Sequence, residues 1–295
     1  MILVTGGTGF VGSSLAQELL KNSYKVRVLS RRPERASMLI EAGCQASRGD
    51  VGDISSVLRA ITPEIEAVVH LVGVLAEPRG TTFRAVHVEG TRNVVEACKG
   101  MGVARLLHMS ALGARPDSAS EYHRTKWDAE EIVRSSGLQY TVLRPSVIFG
   151  RDDRFTNLFA RAMRLSPVVF IPGDGLSRMQ PVFIADVVSA FSMSLKRGDT
   201  IGKTLELGGP EKLTLDEVMD YIGAAIGKRR AKAHVPMPIM NLAAFFAELL
   251  FKKPPISREA LKMLSEDNTT SMNALSEVFS MKPVSLSEGL KTYLH

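Results

Sequence analysis

Residues 2–20, "ILVTGGTGFVGSSLAQELL", begin as an apolar strand and pass through Gly6, Gly9 and Gly12 into a helical pattern. Each glycine has its own steric task. Gly6 permits the tight turn out of the strand, Gly9 lets backbone amides approach a pyrophosphate, and Gly12 lets the helix pack closely on the strand. The anion then rests on the positively polarised helix N-terminus, with Thr8, Phe10 and Val11 completing the set. A glycine string alone is a weak signal, because a flexible turn has the same composition. A strand before it and a helix after it supply the context for dinucleotide binding.

The alternation continues outward from this turn. Apolar runs at 2–5, 25–29, 45–48, 67–71, 105–109 and 141–143 are candidate strands, and 11–20, 34–42, 54–61, 82–99 and 122–135 carry helical patterns between them. Strands apolar on both faces and separated by helices predict a parallel sheet covered on both sides. Right-handed crossovers wind it into a doubly wound α/β fold of the Rossmann type. After Gly150 the loops lengthen and gain Gly and Pro, as in "SPVVFIPGDGLSRMQP" (166–181). We therefore expect a dinucleotide-binding domain at 1–150 and a smaller, mainly helical lobe at 151–295. That lobe has helical candidates near 153–165, 183–196, 214–226, 239–251, 257–266 and 285–293, and one strand at 203–209.

The 295 residues are 45% hydrophobic and 23% charged, which is the balance of a soluble globular chain and excludes extensive disorder. The net charge of +6 is spread out, with short clusters at Arg31–Arg32, Lys228–Arg230 and Lys252–Lys253. No basic tract is interleaved with aromatics, so nucleic acid is not an expected partner. Cys44 and Cys98 lie far apart and without metal-ligand spacing, which fits a reducing cytoplasm, and no metal site is expected. "MILVTGG" runs straight into a strand, so no signal peptide is expected. The longest apolar stretch, "PIMNLAAFFAELLF" (238–251), is interrupted by Asn241 and Glu248 and is too short to span a bilayer. Two readings of it stand open. It lies on a membrane or a membrane protein, flanked by Lys252 and Lys253, or it completes the small lobe.

The second strand ends in "VRVLSRRPE" (26–34). Folds that select NAD usually offer a carboxylate here to the ribose. This chain has Ser30, Arg31 and Arg32 instead, and a guanidinium is suited to a 2′-phosphate. NADP(H) is therefore expected over NAD(H). In "RGDVGD" (48–53), Asp50 and Val51 fall near the adenine, while Asp53 reads as the N-cap of the next helix.

Later motifs complete a series. "HLVG" (70–73) ends the fourth strand and Ser110 follows the fifth. "YHRTK" (122–126) carries a YxxxK pair, and "LRPSVIFG" (143–150) follows. Together with the glycine turn, these resemble the extended and atypical short-chain dehydrogenase/reductase family. The particular likeness of "LRPSVIFGRDDRFTNLFA" (143–160) and "QPVFIADVVSA" (180–190) is to the branch holding the nucleotide-binding accessory subunit of respiratory complex I and its bacterial relatives. The resemblance covers essentially the whole chain. It implies that Leu71, Val72, Gly73, Pro145 and Ser146 join the cofactor site.

It also implies chemistry for the pair. Tyr122 is the acid/base at a substrate oxygen, Lys126 binds the nicotinamide ribose, and hydride moves to or from the nicotinamide. On a helix the two residues share one face, so the ammonium is expected to draw the phenol pKa from about 10 towards neutrality. The alternative is a surface helix in which Lys126 pairs with Glu130. Two departures from the family pattern bear on turnover. Leu112 falls near the place of the usual hydroxyl, leaving Ser110 as the hydrogen-bond partner, and His87 replaces the first asparagine of a "VNVxGTxN" run in "VHVEGTRNVVEA" (86–97).

Arg144, Arg151, Arg154, Arg161 and Arg164 read either as a pocket for an anionic or quinone-like ligand or as solvated partners of Asp152 and Asp153. Asp186 reads as a structural helix-start acid, and His108 and His123 suggest no role. Two functions remain in view. One is an NADP(H)-dependent oxidoreductase or nucleotide-sugar epimerase/dehydratase-type enzyme. The other is a non-catalytic NADP(H)-binding accessory or assembly factor of a quinone-linked respiratory complex, cytoplasmic and peripheral to the inner membrane.

Overall fold

In the computed structural model, residues 1–77, 80–251 and 256–294 are described. The alternating pattern becomes six parallel strands: β1 (Ile2–Thr5), β2 (Val26–Ser30), β3 (Gln45–Arg48), β4 (Ala67–His70), β5 (Arg105–Met109) and β6 (Gln139–Pro145). A further strand, Lys203–Leu207, lies at the edge, giving the order Lys203–Leu207, β6, β5, β4, β1, β2, β3. β1 stands between β2 and β4, with Thr5 aligned on Leu29 on one side and His70 on the other. The winding reverses there, and in open α/β sheets the crevice at such a reversal receives the ligand.

β1 and β4 are buried along their whole length, and the helices of this unit are α1 (Phe10–Lys21), α2 (Ser37–Glu41), α3 (Ile54–Ala60), α4 (Gly90–Gly100) and α5 (Glu121–Arg134). Leu3, Val57, Val68, Val94, Leu106 and Val142 form one fully buried cluster. Each such side chain stabilises the fold by roughly 1.5–3 kcal/mol relative to exposure. Asp53 caps α3, its Oδ1 accepting the Ser55 amide at 3.0 Å. Cys44 and Cys98 are both free and buried, and burial pushes the Cys98 thiol up to about 12.

The helix expected at 82–99 is not uniform. Ala85–Glu89 forms a π-helical turn before α4, and this turn carries His87. Likewise 34–42 divides into a 3-10 turn, Pro33–Ala36, followed by α2.

The chain forms two compact units, Met1–Arg144 with Val187–Leu205, and Pro145–Asp186 with Glu206–His295. The second has its own core, in which Phe149, Ile171, Leu215, Ile222 and Leu290 are fully buried. A capping box starts its helix Leu215–Ala225: Thr214 Oγ1 accepts the Glu217 amide at 3.2 Å, and Glu217 Oε2 accepts the Thr214 amide at 2.8 Å. The sequence pattern did not announce this unit's three two-stranded pairs. Ile148–Phe149 pairs with Val182–Phe183, Arg178–Met179 with Leu213–Thr214, and Val168–Pro172 with Ala231–Val235. Lys252 and Lys253 lie outside the described residues.

Candidate dinucleotide site

The turn after β1 is closed by its own backbone. Gly6 has φ +73°, a left-handed conformation that disfavours a side chain, and its carbonyl accepts the Gly9 amide at 3.0 Å. A Cβ on Gly12 would lie 2.2 Å from the Gly6 oxygen, so the helix can start this close to the strand only with glycine there. α1 is N-capped by Gly9, which offers no side-chain acceptor for its first amides, the arrangement that suits an anion at a helix N-terminus. Among the cofactor candidates here, Val11 and Gly12 are buried, while Thr8 and Phe10 are partly exposed. The residues thus fit a pyrophosphate.

Thr8 Oγ1 lies 3.3 Å from Ser30 Oγ at the end of β2, and Ser30 Oγ also accepts the Arg32 amide at 3.2 Å. Arg31 and Arg32 are exposed. Arg31 Nη1 lies 3.7 Å from Asp50 Oδ2, a solvent-screened pair of small energetic weight. Asp50 Oδ1 accepts the Gly52 amide at 2.9 Å. Val51 is buried, and its carbonyl accepts from Asn93 Nδ2 at 2.8 Å.

Beyond β4 and β5 a buried polar cluster forms. The Lys126 side chain, 2% exposed, donates from Nζ to the Met109 carbonyl at 2.8 Å. A Cβ placed on Gly73 would lie 3.2 Å from that Nζ and 3.4 Å from His87 Nε2, so the loop of Leu71, Val72 and Gly73 passes directly against both. The Val74 amide donates to His87 Nε2 at 3.0 Å. The His87 proton therefore sits on Nδ1, which donates a hydrogen bond to Thr125 Oγ1, 2.9 Å away, and that hydroxyl donates in turn to the Glu121 carbonyl. His70 is fixed by the same logic. Thr91 Oγ1 donates to the His87 carbonyl, so it accepts from His70 Nε2 (3.1 Å), and His70 Nδ1 accepts from Thr5 Oγ1 (2.7 Å).

These histidines are neutral. Burial first, and the Lys126 charge second, lower His70 to about 3 and His87 to about 2. His108 stands 5.3 Å from His70, ring to ring, and burial holds it well below the usual imidazole range. Neither of its ring nitrogens has a hydrogen-bond partner among the described residues, and the same holds for Ser110 Oγ, in a side chain 2% exposed. The histidines at 70 and 108 had no role in the sequence reading. Their only signal was an imidazole at a buried position near the end of a core strand.

Tyr122 and Lys126 do share one face of α5, which Ser120 caps by accepting the His123 amide at 3.3 Å. The expected lowering of the phenol does not occur. Burial pushes Tyr122 up to about 12, while burial, partly offset by Glu130, brings Lys126 down to about 8. The reason is geometric. The ammonium is turned to the Met109 carbonyl, and the Tyr122 ring packs among Phe83, His87 and His123 at centroid distances of 6.2, 5.4 and 5.4 Å. Leu112 is buried.

Nor does Lys126 take the fully buried Glu130 as its hydrogen-bond partner. That carboxylate accepts Arg144 Nε and Nη2 at 2.8 Å each and Arg134 Nη1 at 2.5 Å. Arg144 is thus held by a buried carboxylate. In the second unit Arg151, Arg154, Arg161 and Arg164 are exposed. Asp153 there accepts the Gly150 amide, Thr156 and the Tyr293 hydroxyl. Pro145 ends β6, and Ser146 Oγ donates to Asn268 Oδ1 at 2.6 Å. Asp186 accepts the Val284 amide at 2.8 Å. Among the described residues no group of three or more His, Cys, Asp or Glu is placed to hold a metal ion.

Residues 2–208 match the NAD dependent epimerase/dehydratase family. This chain belongs to that family. Over 92% of its length it is 28% identical to the mitochondrial NADH dehydrogenase (ubiquinone) 1 alpha subcomplex subunit 9 of Arabidopsis thaliana. It spans 71% of that protein and 59% of its Mus musculus counterpart. It is also 27% identical to the 2-alkyl-3-oxoalkanoate reductase of Stenotrophomonas maltophilia, over 98% of this chain and 97% of that one. The solved structure of MoeE5 in complex with UDP-glucuronic acid and NAD shares the fold, with a TM-score of 0.76 at 23% identity, covering 99% of this chain and 97% of that one.

Proposed function

We propose that the chain is an NADP(H)-binding oxidoreductase of this family, with Tyr122 as the proton donor to a substrate carbonyl oxygen. The observation that carries the reading is the buried meeting of Lys126 Nζ, His87 Nε2 and the Gly73 backbone, with the partnerless hydroxyl of Ser110 on the residue after Met109, whose carbonyl Lys126 binds. A desolvated cation and an unsatisfied hydroxyl are costly to keep in an apolar interior. A ribose hydroxyl and a substrate oxygen would satisfy them.

When bound, NADPH supplies the hydride. The turn Gly6–Gly12 holds its phosphates, Asp50 and Val51 stand at the adenine, and Leu71, Val72 and Gly73 line the rest. Tyr122, protonated at neutral pH, is disposed to give a proton, which suits reduction. Lys126, one turn away, orients the ribose. Ser110 Oγ holds the substrate oxygen. Exposed Arg31 and Arg32 favour NADP(H) over NAD(H), because a 2′-phosphate draws the guanidinium away from its weak pair with Asp50. The alignment along almost all of a 3-oxoalkanoate reductase supports a carbonyl substrate. The experiment is NADPH oxidation against a panel of 3-oxo acids, quinones and nucleotide sugars. Tyr122→Phe is expected to lower turnover by about 100-fold or more without weakening NADPH binding.

A second reading has its own support. The likeness to a named NADH dehydrogenase subunit, the buried Leu112 and the fixed His87 favour a non-catalytic NADP(H)-binding accessory or assembly factor, peripheral to a membrane complex. That protein would hold NADPH with slow exchange and turn over nothing on the panel.

A further inference from the structure

The helix Met237–Leu250 is apolar almost all round, yet Ala244 is its one buried residue. Ile239, Leu242, Phe246 and Leu249 recur at the three- and four-residue spacing of a single face and are between 51% and 63% exposed. Phe245 and Leu250 widen the stripe. The helix's one acid is neutralised. Glu248 accepts the backbone amide and Nε of Arg258 at 2.8 Å each, and the same guanidinium stands 5.3 Å over the Phe245 ring. Just before the helix, the strand pair Val168–Pro172 and Ala231–Val235 presents Phe170, 62% exposed, in register with Ala233.

An exposed apolar face of this extent marks an interaction site, and its charge setting selects the occupant. From Lys228 to Arg258 the sequence has seven bases against the single acid Glu248; Lys232 is paired with Asp220 and Arg258 with Glu248, which leaves five bases, at 228–230 and 252–253. Apposing this surface to a second copy of itself sets like charges together. An apolar stripe flanked by bases and free of uncompensated acid matches an anionic lipid surface. No helix among the described residues is long and apolar enough to cross a membrane, so the contact lies in the plane of the interface.

We propose that Met237–Leu250 binds the headgroup region of a membrane containing anionic lipid, with Ile239, Leu242, Phe246 and Leu249 facing the acyl boundary. The site is independent of the dinucleotide reading and of any turnover.

The test is flotation of the full chain with vesicles of phosphatidylcholine alone or mixed equally with phosphatidylglycerol. The expected result is binding to the mixed vesicles, weaker in high salt, and little binding to phosphatidylcholine alone. The double variant Phe246→Gln, Leu249→Gln changes exposed positions only, and circular dichroism and thermal melting check that it folds. Its affinity for mixed vesicles is expected to fall by about tenfold or more. Failure of the wild-type chain to float overturns the proposal, as does equal flotation of the folded variant. A wild-type dimer that the variant makes monomeric, with no lipid binding by either, assigns the face to a second copy and also overturns it.

Discussion

The ammonium of Lys126 donates to the Met109 carbonyl at 2.8 Å from a side chain that is 2% exposed. The sequence spacing pointed this lysine at Tyr122. Its hydrogen bond instead fastens α5 to the end of β5, where the loop carrying Ser110 begins. Burial makes that charge costly to the cofactor-free protein.

The cost has a pH signature. Lys126 holds its proton with a pKa of about 8 when folded, against 10.5 as a free side chain. Below pH 8 both states are protonated and the penalty is full. Between pH 8 and 10.5 the unfolded chain binds the extra proton, so this site's contribution to stability rises with pH. Without cofactor, Lys126→Met is expected to be more stable than wild type at pH 7, by about 1–3 kcal/mol. Urea melts should show that gap shrinking by pH 10, and a constant gap would contradict the assignment.

Gly12 is expected to tolerate no side chain. In Gly12→Ala the new methyl sits 2.2 Å from the Gly6 oxygen, so the turn must open. Stability should fall by about 1–3 kcal/mol, as for other overpacked sites. Dinucleotide affinity should fall further than stability alone accounts for, a split that calorimetry and melting curves measure together.

Glu130 is a structural charge. It is fully buried and joins Arg144 and Arg134, both of which lie near the Trp127 ring. Glu130→Gln removes the buried carboxylate from Arg144, while Arg134 keeps Glu131, and is expected to cost about 3–5 kcal/mol. The loss should appear in denaturant melts with cofactor absent. A change confined to turnover would place Glu130 in the chemistry instead.

On the proposed reading, Arg31 and Arg32 select the 2′-phosphate. The double variant Arg31→Ala, Arg32→Ala should weaken NADPH by about tenfold or more, the weight of one charge-assisted bidentate contact. NADH should change little. Equal losses for both would remove these arginines from the 2′-phosphate.

The sheet, the glycine turn and the Asp53 cap were legible because each is written in neighbouring residues. Apolar strand runs, glycines at fixed spacing and a helix-start carboxylate need no distant partner. The buried cluster was not legible in this way. His87 reaches Gly73 and Val74 through a π-helical turn, and the extra residue in that turn has no marker in "VHVEG". The rise of Tyr122 towards 12 comes from Phe83, His87 and His123 packed around it, which helical spacing does not report. The short strand pairs of the second unit escaped for a related reason. Two-residue strands such as Ile148–Phe149 carry no period of their own.

The central claim is that the Gly6–Gly12 turn holds NADP(H) beside Tyr122 and Lys126. Calorimetric titration of the purified chain with NADPH and with NADH tests it most directly. One site per chain is expected, with NADPH bound about tenfold or more tighter than NADH. No binding of either dinucleotide, or tighter binding of NADH, would contradict it.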